Sequence, residues 1–477
     1  MADLHDLTAL EQGVALRGGE FTAVELTEHY LKRSEALGDS VGAFVTQTPD
    51  LALAQAREAD ERLKAAGPDI LDRGALPPLL GVCVPVKDLT PVADVRMTMG
   101  SRVFADFVPK LQAHVVTKLR AAGTVMTGKT NTPEFGLPCY TEPDIAPPAR
   151  TPWDLTRSAG GSSGGAAAAV AAGLAPLALG SDGGGSIRIP ASVCGLVGFK
   201  PSRGRISNGP LGGDLTGLVT HGPLARTVAD AAAFLDAVAG PMPGDPWWAP
   251  PAAETFLSRT QADPPRLRIG RFAAGVLARP TIHPDCLAAY EAATALLTEL
   301  GHEVVDIDPP AGPEMADTFG EIWAALAASG PLPPQSEDLL RPLTRWLRER
   351  GRAVPVTRFL AAAGELQGLA CQTARAWAAF DAVLSPTLAA PPALIGSMRN
   401  DADPARDFAD QMDFTPITSF YNLTGQPAVS LPVHVGVGGL PIGVMLAGRP
   451  AGDGDLLALA AQLERGAPWT HRKPGCW

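Results

Sequence analysis

Three features of this chain have the residue types and settings for acyl-transfer chemistry. They are Lys87 at the end of the hydrophobic run LLGVCVPV, the pair Ser162–Ser163 inside GGSSGG, and Ser186 inside SDGGGSIRIP. Consecutive backbone N–H groups without side chains can turn inward and form a nest for a developing oxyanion. The amides of Gly183, Gly184, Gly185 and Ser186 are the candidate donors, and the Ser186 hydroxyl at the end of that nest is placed to attack a carbonyl held there. A serine hydroxyl is a poor nucleophile without a base. The eight histidines lie outside the glycine-rich clusters, and no GxSxG elbow surrounds Ser186. Lys87 offers another base, because an amine that follows a buried run from Leu80 to Val86 loses hydration, which lowers its pKa. Ser162 could link the two, since a hydroxyl both donates and accepts.

Each feature taken alone also has a plainer reading. Lys87 can pair with the adjacent Asp88 or extend its amine to solvent. GGSSGG can be a helix start capped by serine, and SDGGGS a glycine-rich turn with a satisfied hydroxyl.

Taken together, Lys87, GGSSGG and SDGGGSIRIPASVCGLVGFKPSRGR closely resemble the amidase signature family. The resemblance continues in order through KTNTPEFG (129–136), RTPWD (150–154), GPLARTVADAA (222–232), the SPT turn (385–387) and NLTGQPAVSLPV (422–433). It implies an α/β fold with a large mixed, twisted β-sheet covered by helices on both faces. It also implies a triad in which Lys87 is the base, Ser162 is a serine in an unusual cis peptide, and Ser186, 24 positions later, is the nucleophile. Asp182 and Arg188 match the family's supporting pair near the nucleophile, and Ser163 a structural partner in the same network. Gly183–Gly184 replaces the more common threonine–glycine pattern after the signature aspartate, a form similar to the nylon-oligomer hydrolases and related bacterial linear amidases. The segment LPCYTEPDIAPPA (137–149) departs from the family's usual loop, which leaves the substrate open.

The elements that must position these groups follow from pattern. Thr22 and Glu25 predict a capping box at the start of a helix, and a second helix is expected over 51–65. Strands are expected over Leu80–Val86, Thr124–Thr127 and Leu267–Gly270, although Pro85 weakens the first as a central strand. A helix is expected over Gln112–Ala122, and others after GGSSGG, after Gly222 and over 453–464. The organisation expected is a core from 1–240 carrying the three reactive groups, a helical insertion or second lobe over 241–400 that shapes the substrate pocket, and a return to the core over 401–477.

At 477 residues with 46% hydrophobic content, the chain can bury an extended core. A net charge of -11 disfavours non-specific attraction to nucleic acid or anionic membrane. The Ala-rich stretch from Ala166 to Leu179 is broken by Gly173 and Pro176 and is too short to span a bilayer. The N-terminal residues carry acids where a secretory signal has a basic segment, so a cytoplasmic enzyme is expected. Six widely spaced cysteines with no CxxC pair read as reduced thiols. No metal or cofactor motif appears, and no cofactor is expected.

The expected substrate is a neutral small-molecule amide, aryl or linear, with water as second reactant and the protein a monomer or homodimer. Candidate pocket residues are Met99, Cys139, Tyr140, Ile145, Phe319 and Trp323, with Trp346 nearby. A carbamate (urethane) or nylon-oligomer hydrolase is the alternative. Further rivals are the glutamine amidase subunit of a tRNA-dependent amidotransferase and a non-catalytic binding protein that kept the fold.

Overall fold

Helix and strand signals in the sequence settle into a sheet that crosses the whole molecule. The computed structural model describes residues 3–67, 75–211 and 215–477. The first predicted helix is Ala23–Val41, and the Thr22–Glu25 capping box forms as expected. A second helix, Pro49–Ala65, follows strand β1 (Phe44–Gln47). The turn region after it falls partly outside the described residues.

Ten further strands complete the sheet among the described residues. They are β2 (Val86–Lys87), β3 (Gly128–Thr130), β4 (Leu177–Asp182), β5 (Val197–Lys200), β6 (Thr220–Ala225) and β7 (Arg268–Arg271), then β8 (Glu303–Asp306), β9 (Ala382–Pro386), β10 (Ala428–Val435) and β11 (Pro441–Gly448). Their order is β1-β3-β2-β4-β6-β5-β10-β11-β9-β7-β8. The sheet is mixed. β2 runs parallel to β3 and β4, whereas β6, β5, β10, β11 and β9 are joined by antiparallel pairs.

Alternate residues of a strand point to opposite faces, so a sheet covered on both faces must be apolar throughout. Leu177 and Leu179 of β4 join one core cluster while Ala178 between them joins another. Val444 and Leu446 of β11 likewise face one cluster, and Met445 and Ala447 a different one. This is the large mixed sheet, covered on both faces, that the sequence motifs imply. Strands β7, β8 and β9, from the 241–400 segment, extend one edge of the same sheet through the β9–β11 pair. Among the described residues no helix is long and apolar enough to cross a membrane.

Three local expectations need correction. The run Leu80–Val86 is not one strand: Cys83 makes an isolated bridge with Val125, and only Val86–Lys87 enters the sheet. Pro85 explains the break, since it has no N–H for a ladder. Residues 124–127 likewise lead up to β3 instead of forming it. The segment after Gly222 begins as strand, because Pro223, Leu224 and Ala225 pair with β4 and the last two also with β5; the helix starts only at Val228, capped by Thr227.

Helix Gly164–Ala171 is buried along its whole length. Its alanines let it lie close against the sheet and its neighbours, where a larger side chain has no space. Ala168→Leu should therefore lower stability by about 1–3 kcal/mol through overpacking, read as a lower urea midpoint. An unchanged midpoint would contradict the close packing.

Candidate active site

β2 ends in the centre of the parallel part of the sheet, with Val86 paired to Lys129 on one side and to Leu179 on the other. Lys87 at its end is fully buried. Its Nζ donates to Ser162 Oγ at 2.8 Å and to the Ser181 carbonyl at 3.2 Å. Burial lowers its pKa to about 7, against the opposing pull of the Asp182 charge. Asp88, next in sequence, does not pair with it. The Asp88 carboxylate accepts from the Thr98 N–H and hydroxyl and lies 3.2 Å from Lys129 Nζ. Successive strand residues point apart, which separates the amine from its sequence neighbour.

The Gly161–Ser162 peptide is cis. Gly161 passes so close to the loop before it that a Cβ there would sit 2.8 Å from the Tyr140 nitrogen. The Ser162 carbonyl accepts from the Thr132 hydroxyl at 3.0 Å. Ser163 precedes helix Gly164–Ala171 but makes no capping bond. Its hydroxyl donates to the Ser181 carbonyl at 3.1 Å and accepts from the Ser181 N–H at 3.3 Å, which ties the serine pair to β4.

Ser186 lies in the turn between β4 and the helix Arg188–Cys194. The turn is shaped by Asp182, whose carboxylate accepts from the Gly185 N–H at 2.8 Å and the Ile187 N–H at 3.1 Å. This corrects the expected nest: the Gly185 amide is already engaged, and Gly183, Gly184 and Ser186 stay as candidate donors. Gly185 has φ +128°, and a Cβ there would meet Thr418 Oγ1 at 2.4 Å. Asp182 also receives two bonds from Arg188, at 2.9 and 3.0 Å, and one from Asn422 at 2.9 Å. Burial would raise the Asp182 carboxyl, but the Arg188 guanidinium beside it holds it well below the usual carboxylate range. Asn422 and Thr418, whose carbonyl accepts from Arg188 at 2.7 Å, carry parts of this network that sequence reasoning did not assign. Asn422 opens the NLTGQP motif, so a signal for it was present.

A family model described as "Amidase" matches residues 25–457. The chain belongs to the amidase signature family. It is 35% identical to the 6-aminohexanoate-cyclic-dimer hydrolase of Paenarthrobacter ureafaciens, covering 98% of this chain and 96% of that one. It is also 35% identical to a glutamyl-tRNA(Gln) amidotransferase subunit from Chloroflexus aggregans, with 99% of each covered. A solved structure of a 6-aminohexanoate cyclic dimer hydrolase superposes with TM-score 0.89 at 33% identity over 100% of both chains. The protein is thus an amidase-signature hydrolase acting on amide bonds.

In this amidase, Ser186 opens onto a narrow cavity walled by Leu137, Ile189, Phe319, Trp323, Phe408 and Met412. Pro138, Cys139, Gln411, Thr415 and Ser419 supply its other side chains. Of the six residues singled out for the pocket, Cys139, Phe319 and Trp323 line it, and the two rings stack with centroids 5.5 Å apart. Burial pushes the Cys139 thiol well up, so it stays protonated. Met99, Tyr140 and Ile145 are not in the lining. The Met99 backbone instead holds the Phe135 N–H at 2.8 Å, Tyr140 is buried behind the wall with its hydroxyl on Asp407, and Ile145 sits on the outer part of its loop, partly exposed. Trp346 packs on the Phe408 ring from outside. Sequence reasoning missed Phe408, Gln411, Met412 and Thr415. Their i, i+3, i+4, i+7 spacing on and just beyond helix Pro404–Phe414 was the signal that one face is shared.

His221 is another residue the sequence did not single out. It lies on β6 opposite Ser181, and burial together with the Lys87 charge lowers its pKa to about 4, so it is neutral at pH 7.

Removing one member of a buried ion pair leaves an uncompensated charge, at a cost of about 3–5 kcal/mol. Arg188→Leu should lose that much stability at neutral pH. Because the Asp182 pKa is depressed in the fold, its contribution is present above the ordinary carboxylate range and fades as acid brings the pH down through the folded value. The stability difference between wild type and Arg188→Leu should narrow in acid, measured by denaturant titration. A gap that widens there would contradict this account.

Proposed function

We propose that Lys87, Ser162 and Ser186 form the catalytic relay of this hydrolase and that its substrate is a neutral linear or aryl acylamide. The observation that carries the relay is the buried Lys87 amine, with its pKa lowered to about 7 and 2.8 Å from the Ser162 hydroxyl. A neutral amine accepts a proton; an ammonium does not. Ser186 attacks the amide carbonyl as its proton passes through Ser162 to Lys87, and the tetrahedral oxyanion lies against the amides of Gly183, Gly184 and Ser186. Lys87 then returns the proton through Ser162 to the departing amine, the C–N bond breaks, and the acyl group stays on Ser186. Water attacks that ester with the same relay as base and releases the acid. Asp182, Arg188 and Ser163 act as supports, fixing the turn and the serine pair.

The acyl side is read from the cavity. Its walls are apolar and aromatic, and none of the side chains lining it carries a charge. A glutamine substrate would bring an ammonium and a carboxylate that need ionic partners, which this lining does not offer. In this reading the 241–400 segment shapes the pocket through Phe319 and Trp323, with a wall added by the helix Pro404–Phe414.

The test is a hydrolysis panel of aryl acylamides, linear amide oligomers, carbamates and glutamine, read by mass spectrometry. Acylamides should turn over fastest and glutamine least. Ser186→Ala should reduce kcat by more than about 10³-fold while the protein stays folded. For wild type, kcat/KM should rise about tenfold per pH unit up to about 7 and then level, because the reactive form is the neutral amine. Lys87→Ala should remove both the activity and that limb. A fully active Ser186→Ala enzyme, or a rate that falls as pH rises through 7, would reject the relay.

A further inference from the structure

Among the polar side chains of the cavity, Gln411 has both ends of its amide held from behind. Gln411 Oε1 accepts from the Cys139 N–H at 2.9 Å, and its Nε2 donates to Asp407 Oδ1 at 2.6 Å. Asp407 is held in turn on its other oxygen by the Tyr140 hydroxyl at 2.7 Å and the Asn400 N–H at 3.0 Å. Tyr140 and Asp407 are fully buried, and Gln411 is 6% exposed. The amide cannot be turned over, since that would set its oxygen against a carboxylate and its nitrogen against an N–H. One N–H of Nε2 is engaged by Asp407, and among the described residues the other has no partner. The neighbouring Thr415 hydroxyl is not free to take this role, because it donates to the Gln411 backbone carbonyl at 2.8 Å.

A carboxylate buried against three neutral donors is an expensive way to hold a glutamine, and an apolar residue would fill the wall more simply. From this arrangement we propose that Gln411 is a specificity-determining residue, presenting an amide donor to a neutral oxygen on the acyl part of the substrate. Tyr140 and Asp407 are positioning residues that act through it. The preferred acyl group then has an apolar body and a carbonyl or ether oxygen beyond the scissile carbonyl. The inference rests on the proposed Ser186 acyl transfer and narrows its substrate class.

The test uses matched p-nitroanilides in which one oxygen replaces a carbon group of similar shape: methoxyacetyl against butyryl, and 4-oxopentanoyl against 4-methylpentanoyl. The intrinsic reactivity difference within each pair cancels when the ratio of kcat/KM values is compared between enzymes. Wild type should favour the oxygen-bearing member of at least one pair relative to Gln411→Met, with the ratio falling on the order of tenfold in the variant, the worth of one buried hydrogen bond. Tyr140→Phe should move the same ratio in the same direction by less. Equal ratios in wild type and Gln411→Met for both pairs would overturn the proposal. If Gln411→Met does not fold, Tyr140→Phe decides by the same ratio, and a ratio unchanged from wild type rejects the proposal. Failure of the underlying reading looks different: Ser186→Ala would then hydrolyse all four anilides at the wild-type rate.

Discussion

A lysine amine sealed from water at the end of a central strand is the constraint on which the rest of this site depends. An isolated ammonium in an apolar interior is so unfavourable that the group sheds its proton instead. Lys87 is in that position, and its direct partners are a hydroxyl and a carbonyl, neither of which demands a charge. A carboxylate in contact would keep the amine protonated. Two carboxylates are close in sequence or space, Asp88 and Asp182, and the fold disposes of each differently.

Asp88 is turned away by the pleat of β2 and meets Lys129, which is buried beside it. Asp182 stays nearer but is occupied by Arg188, Asn422 and two backbone amides. Both buried pairs are better understood as devices that leave Lys87 unpaired than as sources of stability, since buried ion pairs seldom exceed well-packed apolar groups in net worth. The Asp182 pair has a second consequence. By drawing in the Gly185 and Ile187 amides it sets the shape of the turn that carries Ser186. The electrostatics around Lys87 and the geometry of the turn that carries Ser186 therefore share one carboxylate.

The parts of the site legible in the sequence are those fixed over short stretches of chain. GGSSGG and SDGGGS announce tight backbone, and Lys87 announces itself as a charge closing an apolar run. The limits of β2 were less legible, because Pro85 interrupts a run whose hydrophobicity continues on both sides. Spacing alone offers the Gly185 amide to the oxyanion nest, because it does not show that Asp182 reaches that amide first. His221 could be placed beside Lys87 only through the pairing register of β4 with β6, which is a long-range property. The pocket was half legible for a related reason. Phe408, Gln411, Met412 and Thr415 show helical periodicity, but periodicity says that a face is shared and not what it faces.

These differences in legibility match a division of labour in the fold. Lys87 stands at the end of β2 and Ser186 in the turn that leaves β4, so the pairing of β2 with β4 sets their spacing, while Ser162 is held before helix Gly164–Ala171 by the bonds of Ser163 to Ser181 and of Lys87 to its own hydroxyl. Five of the cavity's side chains stand on two helices, Phe319 and Trp323 on Met315–Ser329 and Phe408, Gln411 and Met412 on Pro404–Phe414, where a residue can change size or polarity without altering a strand pairing. A sheet register shifts in steps that would turn every side chain to the other face, so it tolerates little variation. A helix face can be altered one residue at a time. Pockets of different character can therefore sit beside the same grouping of Lys87, Ser162 and Ser186, and in this chain Phe408, Gln411 and Met412 of one helix face supply a wall of the cavity.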